Sequence, residues 1–152
     1  MKLNMLNLKF TVILCLTGLT AFAQVENKIN LSALPSHPRI LLLAGEESAI
    51  KQTIVSDATW KSTHQFILDE CNKLFARQPV ERVLIGRRLL DKSREALRRV
   101  FYLSYAWRMT SETKYLERAE IELLAVSAFY DWNPSHFLDV AEMTMAVYQL
   151  NI

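Results

Sequence analysis

Hydrophobic residues along most of the chain recur every three or four positions, and few stretches alternate with a period of two. Glycine and proline are also scarce, with 3 and 4 residues, so the pattern predicts an all-α protein. The expected helices cover about 46–55, 58–77, 93–109, 112–130 and 134–150.

Residues at the predicted helix ends support these limits. Asp57 is a favourable N-cap for the helix at 58–77, and Pro79 ends that helix. Thr110–Ser111 is so short a turn that the helices on either side should be antiparallel neighbours. Asn133 before Pro134 indicates a helix start with Asn133 as its cap. Such helical hairpins build either the first part of an incomplete (α/α) toroid or an α-solenoid, and the pattern does not separate the two.

The second helix should bury one stripe of side chains. Its members share helical spacing and are Trp60, Ile67, Cys71 and Leu74, broadened by Phe66 and Phe75. His64 lies on the same face, where a histidine usually packs in the core or at its rim rather than binding a ligand. Cys71 is expected to pack as a small hydrophobic residue, with a catalytic thiol as the alternative. The helix at 112–130 should bury Tyr115, Leu116, Ala119, Leu123, Val126 and Phe129.

The first 23 residues have the features of a secretory signal peptide. Lys2 and Lys9 precede an apolar run at 10–19, and Ala21-Phe22-Ala23 predicts cleavage between Ala23 and Gln24. The run is shorter than the ~20 residues that cross a bilayer, so stable membrane insertion is not expected. We therefore expect an exported protein, periplasmic or secreted, in which residues 24–152 form one domain.

Charge and cysteine content exclude several functions. The formal net charge of +2 comes from Lys2 and Lys9, because the rest of the chain carries equal numbers of acidic and basic residues. Nucleic acid is therefore not expected as a general partner. Removal of the signal peptide leaves Cys71 as the one cysteine, so an internal disulfide is excluded.

Basic residues concentrate between positions 82 and 99, in the connection after the second helix and on the helix at 93–109. They are Arg82, Arg87, Arg88, Lys92, Arg94, Arg98 and Arg99. Arginine suits carboxylate and sulfate groups, so this region is a candidate groove for an acidic polymer. The alternative is a solvated helix face, because Glu95 precedes Arg98 and Arg99 by three and four residues and Asp91 precedes Arg94 by three. Arg87 and Arg88 are the strongest binding candidates because they lie outside the predicted helix.

Polar chemistry concentrates at 131–143, near the predicted start of the last helix. Trp132, Asn133, His136 and Glu142 are candidate ligand-binding residues there. His136, Asp139 and Glu142 are three residues apart and form a slowly drifting helical stripe. The spacing is not HExxH, and we expect neither a metal site nor another cofactor. In the alternative interpretation, both acids favour the positive half of a helix and His136 caps it or packs nearby.

Several stretches resemble the N-terminal region of heparinase II/III-type polysaccharide lyases. They are His37-Pro38-Arg39-Ile40-Leu41-Leu42, Glu46-Glu47, Phe101-Tyr102-Leu103-Ser104-Tyr105-Ala106 and, most specifically, the segment from Asp131 to Met143. The resemblance covers roughly 34–147. It implies an exported bacterial enzyme with an incomplete (α/α) toroid followed by β-sandwich modules. The implied activity is β-elimination on uronate-containing glycans such as heparan sulfate, in which a base removes the proton α to the carboxylate.

The residues that perform this elimination in the family lie downstream of the matched region, so no catalytic residue is predicted here. We expect a truncated product that is inactive alone and exposes apolar surface on its last helices. The alternative is a complete small exported helical-repeat protein that binds glycans or acts as a scaffold without catalysis.

Overall fold

A computed structural model of the chain describes Leu34 and residues 42–148. The helices below all belong to one compact unit, residues 35–152. The predicted signal peptide and its cleavage site lie outside the described residues.

Five helices make up the described part of the chain. They are α1 (Glu47–Ser56), α2 (Ala58–Leu74), α3 (Leu90–Thr110), α4 (Thr113–Ser127) and α5 (Phe137–Tyr148). Residues 42–148 contain no β-strand, and the only bridge there joins Ile85 to Arg88. The all-α prediction is therefore confirmed for this part. None of its helices combines the length and apolar character that a membrane crossing requires.

The boundary between α1 and α2 lies where the sequence predicts it. Asp57 is extended, and its Oδ1 accepts hydrogen bonds from the backbone N–H groups of Thr59 at 2.7 Å and Trp60 at 3.0 Å. This carboxylate satisfies two of the N–H groups that a helix start leaves without partners. The other end differs, because α2 ends at Leu74 rather than near Arg77.

Helix α3 is the centre of the fold and contacts each of the other four described helices. It begins at Leu90, three residues earlier than predicted. Ser111, in the left-handed conformation (φ 60°), ends it and leads into α4. Arg99 and Glu122 lie at similar separations from this turn and form an ion pair at 2.9 Å. The two helices therefore pack side by side.

Two hydrophobic clusters fill the interior. The first contains Cys71, Leu74, Leu103, Ala106, Tyr115 and Ala119. The second contains Val80, Leu89, Ala96, Val126, Met143 and Ala146. The first joins α2, α3 and α4, and the second joins α3, α4 and α5 to the connection at 75–89. The first cluster thus includes the second half of α3, with Leu103 and Ala106, and the second includes its first half, with Ala96.

Burial of the predicted stripes differs between α2 and α4. In α4, Tyr115, Ala119 and Val126 are buried as predicted. In α2, Cys71 and Leu74 are buried, but Trp60 and Phe66 keep 50% and 55% of their surface exposed. The burial prediction for these two aromatics is wrong, and likewise for Phe75, because only the Cys71–Leu74 end of α2 enters the core cluster that α3 and α4 complete.

His64 is a rim histidine, as the sequence predicts. Its Nδ1 lies 3.0 Å from the Tyr105 hydroxyl, and the two rings meet edge to face with centroids 5.8 Å apart. Burial raises the pKa of Tyr105. The pair joins the middle of α2 to α3.

Cys71 should be chemically inert in the folded protein. Its side chain is fully buried, and burial, followed by the Glu70 charge, raises the pKa of the thiol to about 12. Because the thiolate is the reactive species, we expect no iodoacetamide labelling of Cys71 in native protein and complete labelling in denaturant. Peptide mass mapping measures both. Rapid labelling of native protein at neutral pH would restore the catalytic-thiol alternative.

Helix α5 is apolar on two faces. Asp139, Met143 and Ala146 are buried, whereas Phe137, Met145 and Tyr148 on other faces are 83%, 46% and 64% exposed. A helix that is apolar nearly all round usually has neighbours on more than one side. The expectation of exposed apolar surface on the last helix is confirmed.

Candidate functional site

The corner between α4 and α5 is built around Asp131. Its Oδ1 accepts hydrogen bonds from the Asn133 backbone N–H at 2.7 Å and from Arg82 Nη2 at 2.6 Å. Arg82 Nε also donates to the Asp131 carbonyl at 3.1 Å. The Asn133 N–H and the Arg82 guanidinium hold the pKa of this carboxyl below its usual range. Asp131 thus ties the 75–89 connection to the corner.

Asn133 does not cap the last helix as predicted. It adopts the left-handed conformation (φ 58°), and α5 begins at Phe137 rather than Pro134. Its Nδ2 donates to the Arg87 carbonyl at 2.9 Å and to Asp139 Oδ2 at 2.7 Å. The cap prediction fails because this side chain bridges two distant segments, and asparagine tolerates the left-handed conformation better than most residues.

Asp139 points into the protein rather than along an exposed stripe with His136 and Glu142. Its side chain is fully buried and accepts bonds from the Leu89 N–H at 2.7 Å and from Arg88 Nε at 3.0 Å, besides that from Asn133. Burial by itself raises its pKa, but these three donors outweigh it and hold the pKa below the usual range. Because Asp139 is buried, the side chains of His136, Asp139 and Glu142 do not form one exposed stripe.

Arg87 and Arg88 have different environments. The Arg88 guanidinium is committed to Asp139, with Nη2 at 2.9 Å from its carboxylate, although 42% of the side chain is exposed. Arg87 is exposed and forms no ion pair with any residue between 42 and 148. Of the two candidates, Arg87 retains the capacity to bind an external anion.

Trp132 contributes to packing more than to an open surface. Its indole Nε1 donates to the Val126 carbonyl at 2.9 Å, and the ring packs against the second hydrophobic cluster. His136 is half-buried, with Nδ1 at 3.1 Å from Ser135 Oγ and 3.5 Å from Asn133 Nδ2. The second distance is too long for a strong hydrogen bond. His136 therefore remains a candidate at the surface of the corner.

Glu142 lies apart from the other candidate residues of the corner. It pairs with Arg94 at 3.0 Å and lines a groove of about 410 Å³ between α3 and α5. The other lining residues are Arg94, Leu97, Arg98, Phe101 and Tyr102. The structure thus brings Asn133, His136 and the 87–88 segment together, but it places Glu142 in a separate groove.

Carboxylates within the protein neutralise most of the basic cluster. The predicted pairs of Glu95 with Arg98 and Arg99 form, at 3.0 and 2.7 Å. Arg94 pairs with Glu142 instead of Asp91, which lies 3.7 Å from Lys92. The prediction of an acid-binding groove along this helix is weakened, because its charges are already compensated.

A buried network around Glu122 was missed in the sequence. Glu122 accepts bonds from Arg99 Nη1 at 2.9 Å, from Arg118 Nη2 at 2.5 Å and from the Val80 N–H at 3.0 Å. The same two arginines donate to the carbonyls of Gln78 and Arg77, where the chain leaves α2. In the sequence, the network is indicated only by the spacing of four residues between Arg118 and Glu122. That spacing is also common on exposed helices, so it does not predict burial.

Two buried carboxylates therefore bind the backbone of the 75–89 connection. Glu122 accepts a hydrogen bond from the Val80 N–H, and Asp139 accepts one from the Leu89 N–H. Between these anchors, Arg82 is fixed to Asp131, and the Arg87 carbonyl is bound by Asn133. The position of Arg87 beside the corner is thus set by interactions along the whole connection.

Within the described range, no group of three or more His, Cys, Asp or Glu side chains is close enough to hold a metal ion. Comparison of the chain with protein-family models and with curated proteins gives no match.

Proposed function

We propose that this chain binds uronate-containing glycans as the N-terminal part of an exported polysaccharide lyase, through the corner formed by Arg87, Asn133 and His136. The finer fold proposal is that the α1–α2 and α3–α4 pairs are antiparallel hairpins at the start of an incomplete (α/α) toroid. The resemblance of the 131–143 segment to heparinase II/III-type lyases supports both proposals.

The observation that carries the binding proposal is the environment of Arg87. This exposed guanidinium has no carboxylate partner among residues 42–148, and Asn133 Nδ2 fixes its backbone next to the corner at 2.9 Å. A guanidinium presents parallel N–H groups that match a carboxylate or sulfate. His136 and Ser135 add groups that exchange hydrogen bonds with sugar hydroxyls. The corner therefore combines one anion-binding group with neutral polar groups.

The chain alone is expected to bind and not to cleave. β-Elimination requires a base within about 3 Å of the proton α to the carboxylate, together with donors for the developing charge. We assign neither role to any residue of the corner. An increase in ultraviolet absorbance from unsaturated uronate, on adding purified chain to heparan sulfate, would contradict this part of the proposal.

Calorimetric titration tests the binding. Wild-type protein should bind a uronate tetrasaccharide more tightly than neutral cellotetraose, and the affinity should fall with added salt. Arg87→Gln should weaken uronate binding by roughly fivefold, which corresponds to one exposed charged contact of about 1 kcal/mol.

Lys51→Gln is the matched control, because Lys51 is an exposed cation on α1 outside the corner. It should leave the affinity unchanged. Equal affinity for the two tetrasaccharides, or equal losses in the two variants, would overturn the proposal.

A further inference from the structure

We infer that Tyr130 is a stacking platform for an acidic sugar ring at this corner, an inference that rests on the proposed function. Tyr130 directly precedes Asp131, and 81% of its surface is exposed. The Arg82 guanidinium carbon lies 4.0 Å from the centre of its ring. The arginine covers one face of the ring.

The Arg82 guanidinium behind the Tyr130 ring is held in place by Asp131. Arg82 keeps only 14% of its side chain exposed, and it makes two hydrogen bonds to Asp131, at 3.1 and 2.6 Å. Asp131 in turn accepts the Asn133 N–H at 2.7 Å. A ring that rests on so constrained a cation loses little conformational freedom when a ligand covers its other face.

The ring is connected to the proposed binding corner through the Arg82 guanidinium that stacks on it and through hydrogen bonds beyond that arginine. Arg82 and the Asn133 backbone N–H both donate to Asp131, and Asn133 Nδ2 donates to the Arg87 carbonyl. Tyr130 and Arg87 therefore flank one rigid turn. We place one sugar of the ligand on the ring and the carboxylate of a neighbouring sugar at Arg87.

The ring and the nearby Arg87 together favour an anionic sugar. The apolar C–H face of a pyranose packs against an aromatic ring in the way that other amphipathic groups do. The Arg82 guanidinium beneath the ring is already paired with Asp131 at 2.6 Å, so the preference for an acidic sugar comes from Arg87, which has no carboxylate partner among residues 42–148. The ligand class is thus a glycan of uronate or sulfated sugars.

Titration of the full chain with the same uronate tetrasaccharide tests the inference. Tyr130→Ala should weaken binding by roughly fivefold, whereas Tyr130→Phe, which keeps the ring, should bind like wild type. Tyr148→Ala is the matched control, because Tyr148 is also exposed, at 64%, but lies at the far end of α5. It should have wild-type affinity. Circular dichroism melting checks that each variant is folded.

The outcomes separate the two proposals. If wild type binds the uronate tetrasaccharide and Tyr130→Ala binds it equally well, the stacking role is overturned and the proposed function stands. If Tyr148→Ala weakens binding as much as Tyr130→Ala, the effect is not specific to the corner and the inference is overturned. If wild type does not bind, both proposals fail.

Discussion

Replacing Glu122 with alanine is expected to destabilise the protein by roughly 3–5 kcal/mol, because it removes one partner of a buried ionic network. The Glu122 side chain is fully buried, and Arg99 and Arg118 are each only 8% exposed. Without the carboxylate, two guanidiniums and the Val80 N–H lose an acceptor in the interior. Urea unfolding followed by circular dichroism measures the loss.

Two further variants make this result specific. Glu120→Ala removes an exposed glutamate from the same helix and should change the free energy of unfolding by less than about 0.5 kcal/mol. Glu122→Gln keeps the shape and an acceptor for Val80 but not the charge, so its loss should be intermediate and measurable even if the alanine variant does not fold. A loss below about 1 kcal/mol for Glu122→Ala would show that the network is not a major source of stability.

Local sequence signals predicted the helices well because they depend on neighbouring residues. Asp57 caps α2 through bonds that span two and three residues, so the sequence contains both partners within one turn. The predicted start of α5 relied on the same local rule and was wrong. There the Asn133 amide binds Arg87 and Asp139, and the first of these is 46 residues away.

The candidate site was harder to predict than the helices, because its contacts join residues that are far apart in the sequence. A period of three placed His136, Asp139 and Glu142 on one stripe, but burial of Asp139 against the Leu89 N–H, 50 residues away, divides them. Likewise, Arg87 and Arg88 are adjacent and chemically identical. Only the tertiary structure shows that Arg88 is neutralised by Asp139 and that Arg87 is not. Residue types and their spacing therefore predicted where the candidate site lies. The role of each side chain in that site depends on contacts with residues far away in the sequence.

Replacing Asp139 with alanine is expected to cost roughly 2–4 kcal/mol, somewhat less than the loss of Glu122. The Leu89 N–H and the Asn133 amide would lose a buried acceptor, with donor–acceptor distances of 2.7 Å in both bonds. Arg88, at 42% exposure, retains access to water and limits the penalty. Because Asn133 also holds Arg87, we expect weaker glycan binding from the same variant. Denaturant unfolding and calorimetric titration measure the two effects.

Asp139 should also contribute to acid unfolding. Its folded pKa lies below the usual 3.8 because the donors from Leu89, Asn133 and Arg88 outweigh the effect of burial. In acid the unfolded chain therefore binds more protons at this group than the folded chain. The contribution to stability is complete above the unfolded pKa, near pH 4, and is lost as the pH falls from there through the folded pKa.

Asp139→Asn removes this titration and should make the decline of stability below pH 4 shallower, by up to about one proton in the linkage slope. Some decline should remain, because two other carboxyls also have lowered pKa values. For Glu47 the main cause is a hydrogen bond from its own backbone N–H, and Arg108 adds to it. For Glu95 burial raises the pKa, but hydrogen bonds from Arg99 and Arg98 outweigh it. Urea midpoints measured between pH 2 and pH 7 give the slope for both proteins. Equal slopes would mean that the pKa of Asp139 does not change on folding, and that its donors do not favour the carboxylate as the structure indicates.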